Sequence, residues 1–239
     1  MEGTAPMETA SYTARKGQLE TYFDRTAADA WAKLTSDAPV SKIRATVRAG
    51  RDQMRATLLS YLPDDLSGCT LLDAGCGTGA LAVEAARRGA NVTAIDLSPT
   101  LVQLARDRTP VDGLKGQLTF VSGDMLSAEL GHFDYVVAMD SLIHYHRTDM
   151  VSALAGLAQR TNNAILYTFA PKTPLLAAMH TVGRLFPRSD RAPAIEPVSR
   201  GRMHRDIDRH ASLIDWRIGQ HQKIVSGFYM SCAQELKRD

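Results

Sequence analysis

The residues with the most specific chemical spacing in this chain are Asp73-Ala-Gly75-Cys-Gly77-Thr-Gly79. Glycines at alternate positions allow a tight turn with no Cβ in the way, so the backbone can approach a ligand closely. The spacing is GxGxG rather than the GxGxxG of dinucleotide sites, and no Lys-Ser/Thr pair follows as in a P-loop. Pyrophosphate is therefore a poor match. Asp73 would repel a polyphosphate but attract an ammonium group, directly or through water. Two more aspartates, Asp96 and Asp124, close later β-rich runs. Asp96 stands where a carboxylate accepts from both hydroxyls of an unphosphorylated ribose, and Asp124 where an acceptor can take an adenine amino group. Singly, each reads equally well as a helix cap or turn residue. Their coincidence with the glycine loop favours adenosine joined to an amino-acid cation, as in S-adenosylmethionine. Leu97, Met125 and Asp140 complete the expected cofactor wall. Cys76, with no histidine beside it in sequence, reads as a small filler rather than a nucleophile.

Such residues need a scaffold that gathers strand ends. From Thr70 onward the runs TLLDA, NVTAID, QLTFVSGD, FDYVVAMD and NAILYTF alternate with the helical patterns LAVEAARRG, PTLVQLARD and MVSALAGLAQR. That rhythm predicts a parallel sheet wrapped by helices. LIDWRIGQ and KIVSGFYMSCAQEL, joined by a short polar link, predict a terminal antiparallel hairpin and bring the strands to seven. The expected fold is α/β and Rossmann-like over residues 62–239, preceded by a helical arm over 19–61. In the arm, Ile43, Val47, Met54 and Leu58 share one helical stripe, and Arg44, Arg48, Arg51 and Arg55 another. The basic stripe is either a solvated face or a row facing an acidic ligand, for which Arg48 and Arg51 are the candidates. Residues 1–18, with Glu2, Pro6, Glu8 and no apolar run, resemble a disordered start. Residues 172–205, with Leu175, Leu176, Met179, Val182, Leu185 and Phe186 at amphipathic spacing, are expected to cover a substrate, although packing onto the core suits the same pattern.

Composition narrows the class. A chain of 239 residues, 44% of them hydrophobic, can bury one sizeable core. Its net charge of +2 does not call for nucleic acid. No apolar run is long enough to span a bilayer or to start a secretory signal, so a cytoplasmic enzyme is expected, with peripheral membrane association left open. Cys69, Cys76 and Cys232 lack the number and spacing of a disulfide framework or a zinc site, and no protein metal site is assigned.

Three successive strand ends presenting Asp73, Asp96 and Asp124, with a terminal hairpin, resemble class I methyltransferases, which use S-adenosylmethionine. Over nearly the whole chain after Leu19 the sequence also resembles the magnesium-protoporphyrin IX O-methyltransferases of (bacterio)chlorophyll synthesis. The resemblance is carried by Tyr22-Phe23 with Trp31 downstream, the VRAGRDQMRATLLSYL helix, the FAPKTPLLAAMHTVGRLFPRSDRAPAIEP segment and SGFYMSCAQEL. It implies methyl transfer to a propionate carboxylate of the magnesium porphyrin, with Tyr22 and His144 at the reaction centre. His146 is a weaker neighbour, and Lys172, Arg188 and Arg191 are candidates for the second propionate. It also leaves open contacts with the magnesium chelatase and with a membrane. An O- or C-methyltransferase of a quinone or other small aromatic shares the core motifs, and a noncatalytic cofactor-binding module shares the glycine loop.

Overall fold

The computed structural model describes residues 9–26, 35, 41–110, 112–172 and 194–239. Seven strands form one sheet: β1 (Thr70–Ala74), β2 (Asn91–Asp96), β3 (Leu118–Ser122), β4 (Phe133–Ala138), β5 (Thr161–Phe169), β6 (Trp216–Ser226) and β7 (Tyr229–Arg238). Their order is β3-β2-β1-β4-β5-β7-β6. β1 pairs in parallel with both β2 and β4, while β7 lies antiparallel between β5 and β6. The order reverses at β1, so the crevice between the carboxyl ends of β1 and β4 is the place where such sheets hold ligands.

Six α-helices are described: α1 (Ala10–Thr21), α2 (Lys42–Ser60), α3 (Ala80–Arg87), α4 (Pro99–Arg108), α5 (Arg147–Ala158) and α6 (Arg200–Arg209). Local chemistry sets their starts. Thr9, Ser41 and Ser98 each use a side-chain oxygen to accept a backbone amide in the first turn of α1, α2 and α4, and Gly79 opens α3 from the left-handed region at φ 79°. The two faces of the sheet carry two apolar clusters. One joins Tyr12 and Leu19 of α1 to Met150 and Leu154 of α5 and to Met203 and Ile207 of α6. The other joins Met54 and Leu58 of α2 to Leu81 and Ala85 of α3.

The structure corrects three expectations and shows how far the apolar stripe of α2 reaches into the core. Residues 10–18 are helical rather than part of a disordered start, because Thr9 caps the helix and Tyr12 is buried against Tyr145 with ring centroids 4.7 Å apart. The apolar stripe of α2 is buried only in its second half: Met54 and Leu58 are fully buried, whereas Ile43 lies before the core and is 55% exposed. The hairpin turns at Gly227-Phe228, where Gly227 adopts φ 56°, and the polar residues that suggested a link sit inside β6 next to its irregularity at Ile218/His221. Within the expected cover, the part from Val198 onward belongs to the core, since Val198 and Met203 are buried. The predicted apolar helix at 175–186, with Arg188 and Arg191, lies outside the described residues.

Candidate active site

A cavity of about 320 Å³ opens at the carboxyl ends of β1, β2 and β4. Its floor is the glycine loop. The amides of Gly75 and Cys76 both donate to the Ile95 carbonyl, at 2.8 and 2.9 Å, which folds the loop over the end of β2. Gly75 has φ 86°, and a Cβ there would lie 2.3 Å from the Ser141 Cβ, so only glycine fits between loop and cavity wall.

Two carboxylates flank the loop. Asp96 is oriented by the amides of Gly77 at 2.8 Å and Ser98 at 3.0 Å, and a carboxylate has lone pairs left for further donors. Burial pushes its pKa up, against the pull of those amides. Asp73 is 2% exposed, and its Oδ2 has no hydrogen-bond partner among the described residues. Burial, reinforced by the negative charge of Asp96, raises its pKa to about 7. Ser141, also on the cavity wall, has a buried hydroxyl without a described partner. Two adjacent desolvated carboxylates, an unsatisfied acceptor and an unsatisfied hydroxyl suit a ligand that is cationic and polar. S-adenosylmethionine fits on those grounds. Burial and the negative charges of Asp73 and Asp96 keep the Cys76 thiol protonated, in keeping with a filler role.

The structure brings Leu97, Met125, Asp124 and Asp140 to the same cavity but gives both aspartates protein partners. Asp124 accepts from the Tyr12 hydroxyl at 2.9 Å, Lys16 Nζ at 2.7 Å and the Leu126 amide at 2.9 Å. Burial would raise its pKa, but these donors outweigh it and hold the carboxyl below its usual range. Asp124 thus ties α1 across the cavity. Asp140 accepts from Arg51 Nη1 at 2.7 Å and from the Tyr229 hydroxyl at 3.1 Å, so its carboxylate fastens α2 and β7 together as well as facing the cavity.

His144 is 8% exposed, lines the same cavity, and donates Nδ1–H to the Ala194 carbonyl at 3.3 Å. The Phe23 ring meets it edge-on at 5.9 Å, and Tyr22 meets Phe23 at 5.2 Å. Phe23 lines the cavity, and Tyr22 is not among the residues that line it. His146 is mostly exposed and near Glu196 at 3.4 Å, and Lys172 is exposed. Arg48, Arg51 and Arg55 line the cavity. Tyr12, Lys16 and Tyr229 escaped the sequence reading because their pairing with Asp124 and Asp140 spans about 90 residues or more. The Thr9 cap preceding Tyr12 was the one local signal for α1.

The model of the magnesium-protoporphyrin IX methyltransferase C-terminus matches residues 138–238, and that of a methyltransferase domain matches residues 71–163. The chain is 49% identical to the magnesium-protoporphyrin O-methyltransferase of Rhodobacter capsulatus, over 95% of this chain and 98% of that protein. To the magnesium-protoporphyrin O-methyltransferase of Synechocystis sp. it is 31% identical, over 91% of this chain and 94% of that protein. The crystal structure of magnesium protoporphyrin IX methyltransferase from Synechocystis PCC 6803 with bound SAH superposes with a TM-score of 0.78 at 26% identity, covering 94% of this chain and 100% of that one.

Proposed function

The chain belongs to the family of magnesium-protoporphyrin IX O-methyltransferases, and on that premise we propose how its cavity divides the work of methylating a porphyrin carboxylate. The acceptor is a propionate of magnesium protoporphyrin IX, and the products are its monomethyl ester and S-adenosylhomocysteine. S-adenosylmethionine, when bound, supplies a methyl group made electrophilic by its sulfonium. Asp73 and the glycine loop would hold its amino-acid end, and Asp96 its ribose. Asp124, beneath Tyr12 and Lys16, borders the adenine side.

A propionate has a pKa near that of a glutamate side chain, about 4.3, and is ionised near neutrality without a base. The protein's task is therefore to orient the carboxylate and exclude water, and opposite charges that cancel during transfer favour a dry site. His144, its ring fixed by the Ala194 carbonyl and the Phe23 edge, is assigned to orienting the carboxylate. Tyr22 acts through Phe23, against which it packs.

The observation carrying this reading is the polarity of one cavity, in which the buried acidic floor of Asp73 and Asp96 shares a wall with Arg48, Arg51 and Arg55. A cationic donor and an anionic acceptor can lie side by side there. Among the described residues no helix is long and apolar enough to cross a membrane. The exposed Ile43, Val225 and Phe228 each lie within three residues in sequence of the contact in which the Ser226 hydroxyl donates to the Thr46 carbonyl at 2.8 Å. With exposed Lys42, Arg44 and Lys223 nearby, this edge is the proposed peripheral contact with an anionic membrane, from which an apolar macrocycle can be drawn.

The test is direct. Purified protein with labelled S-adenosylmethionine should methylate magnesium protoporphyrin IX, and mild alkali should release the label, because the product is a carboxylic ester. Label that resists alkali, or that appears on a quinone or phenol but not on the porphyrin, overturns this reading in favour of an aromatic methyltransferase.

A further inference from the structure

The chain between β4 and His144 is fixed by contacts that neither the cofactor nor the acceptor assignments use. β4 pairs with β5 as far as Ala138 beside Tyr167. Two residues on, Asp140 adopts φ 55° and is the one non-glycine residue with positive φ among the described residues. Such a conformation persists where its surroundings over-determine it, and such residues cluster at functional sites.

Three elements supply those surroundings. The hydroxyl of Thr168, a fully buried residue of β5, takes the place of a ladder partner: it accepts from the Asp140 amide at 2.7 Å and donates to Oδ1 at 3.2 Å. One side chain thus holds both the main chain and the carboxylate of Asp140. From β7 the Tyr229 hydroxyl lies 3.1 Å from both carboxylate oxygens, and from α2 Arg51 Nη1 donates to Oδ2 at 2.7 Å. Burial and the Asp140 charge push the Tyr229 pKa up, so the phenol stays a donor. Gly50 leaves room for its ring, since a Cβ there would lie 2.5 Å from it. Glycine at position 140 would adopt the same φ without strain but would leave the corner free to move. An aspartate held on both oxygens keeps it in one state.

The reaction side of the cavity follows directly. Ser141, at φ −94° and ψ −43°, returns to the right-handed region, and its side chain fills the space that Gly75 of the cofactor loop leaves open, where an added Cβ would lie 2.3 Å away. Leu142–His144 form a single 3-10 turn, anchored by the fully buried Leu142 and closed by the Tyr145 amide on the Leu142 carbonyl at 3.1 Å. His144 ends that turn on the cavity wall. Asp140 is therefore the corner that sends the chain from the sheet, past the cofactor floor, to the histidine.

We propose that Asp140, Thr168 and Tyr229 are positioning residues for methyl transfer: they lock the corner after β4 and, through residues 141–144, set His144 against the acceptor carboxylate. The acceptor needs no base, so alignment is where rate is gained or lost, and a shift of about 1 Å can cost up to about 100-fold.

This inference rests on the orienting role given to His144 above, and a double-mutant cycle separates the two. Turnover at saturating S-adenosylmethionine and magnesium protoporphyrin IX is measured for Thr168→Val, Thr168→Ser, Tyr229→Phe and Asp140→Gly, each alone and combined with His144→Phe, with cofactor affinity by calorimetry. Thr168→Val should lower kcat by about tenfold or more, while the cofactor dissociation constant moves by less than about threefold. Thr168→Ser, which keeps the hydroxyl, should restore most of the loss. Tyr229→Phe, which keeps the ring against Gly50, should lower kcat in the same sense. Asp140→Gly should do so too, although it relieves the backbone. In the His144→Phe background, Thr168→Val should cost less than about a further twofold, because the residue it acts through is gone. If Thr168→Val fails to bind cofactor, the cycle with Tyr229→Phe decides the question. Full multiplicative losses in the double variants, or cofactor-binding single variants with wild-type turnover, overturn the proposal while leaving the role of His144 intact. A His144→Phe protein that turns over like the wild type overturns both.

Discussion

Asp73 offers the sharpest test of the cofactor site, because its burial and its proximity to Asp96 raise its pKa from 3.8 to about 7. An acid whose folded pKa is raised binds its proton more tightly in the native state. The ligand-free protein therefore loses this increment of stability as pH climbs from about 4 to about 7, with a total on the order of a few kcal/mol. Cofactor binding has the opposite slope, since the ionised carboxylate is the form that receives an ammonium group. With a pKa of about 7, roughly a tenth of Asp73 is ionised at about pH 6 and roughly seven-tenths at about pH 7.4. An α-amino group, with a pKa of about 7.7 to 8.0, is still largely protonated at the upper value. The product of the two fractions predicts that S-adenosylmethionine affinity improves about fivefold over this interval and then declines in more alkaline buffer. Titration calorimetry in buffers of different ionisation enthalpy reads both the affinity and the net proton released, roughly 0.4 proton per cofactor at about pH 7 once uptake by the amine is subtracted. Asp73→Asn should bind more weakly and with a flat profile below neutrality. A wild type whose affinity is constant from about pH 6 to pH 7.4 without proton release, or an Asp73→Asn protein that binds as the wild type does, would refute the reasoning.

Other substitutions probe the same cavity at separate points. Asp96→Ala removes charge-assisted hydrogen bonds worth about 1.5 to 3 kcal/mol each, so the cofactor dissociation constant should rise by at least about tenfold by calorimetry; an unchanged constant rejects the ribose assignment. Gly75→Ala sets a Cβ 2.3 Å from Ser141 on a backbone at φ 86°, and should abolish cofactor protection against thermal unfolding while the ligand-free protein stays folded. His144→Phe should lower turnover by up to about 100-fold with cofactor affinity little changed, and Tyr22→Phe, which keeps the ring packed on Phe23, should do less. Equal turnover for His144→Phe and wild type at saturating substrates would remove His144 from the reaction centre.

Much of the molecule is set by short-range pattern. The alternation of apolar runs and helical stretches from Thr70 onward determines the parallel sheet, because strand and helix periodicities are local properties of the chain. The glycine spacing after β1 determines the loop: Gly75, Gly77 and Gly79 all adopt positive φ, which other residues rarely do. Asp73 and Asp96 follow from their places at adjacent strand ends, and the family resemblance was carried by contiguous segments. What the tertiary structure decided is which of these groups neutralise one another. Asp124 and Asp140 read alike as strand-end carboxylates, yet α1 lays Tyr12 and Lys16 on the first, while α2 and β7 bring Arg51 and Tyr229 to the second. Residues 10–18 look polar enough to stay unfolded, but α1 forms by burying Tyr12 and Leu19 on the core and anchoring the cap residue Thr9 and the first-turn Ser11 to Asp149, at 2.7 and 2.8 Å. Likewise the arginine stripe of α2 has one periodicity whether it faces water or a cavity. Tertiary packing, with Met54 and Leu58 buried in the core and Gly50 against Tyr229, sets the helix's rotation and turns Arg48, Arg51 and Arg55 of that stripe to the cavity. Sequence spacing sets what a segment can do locally, whereas the partner of a buried charge depends on contacts between segments far apart in the chain, and those exist only once the core has closed.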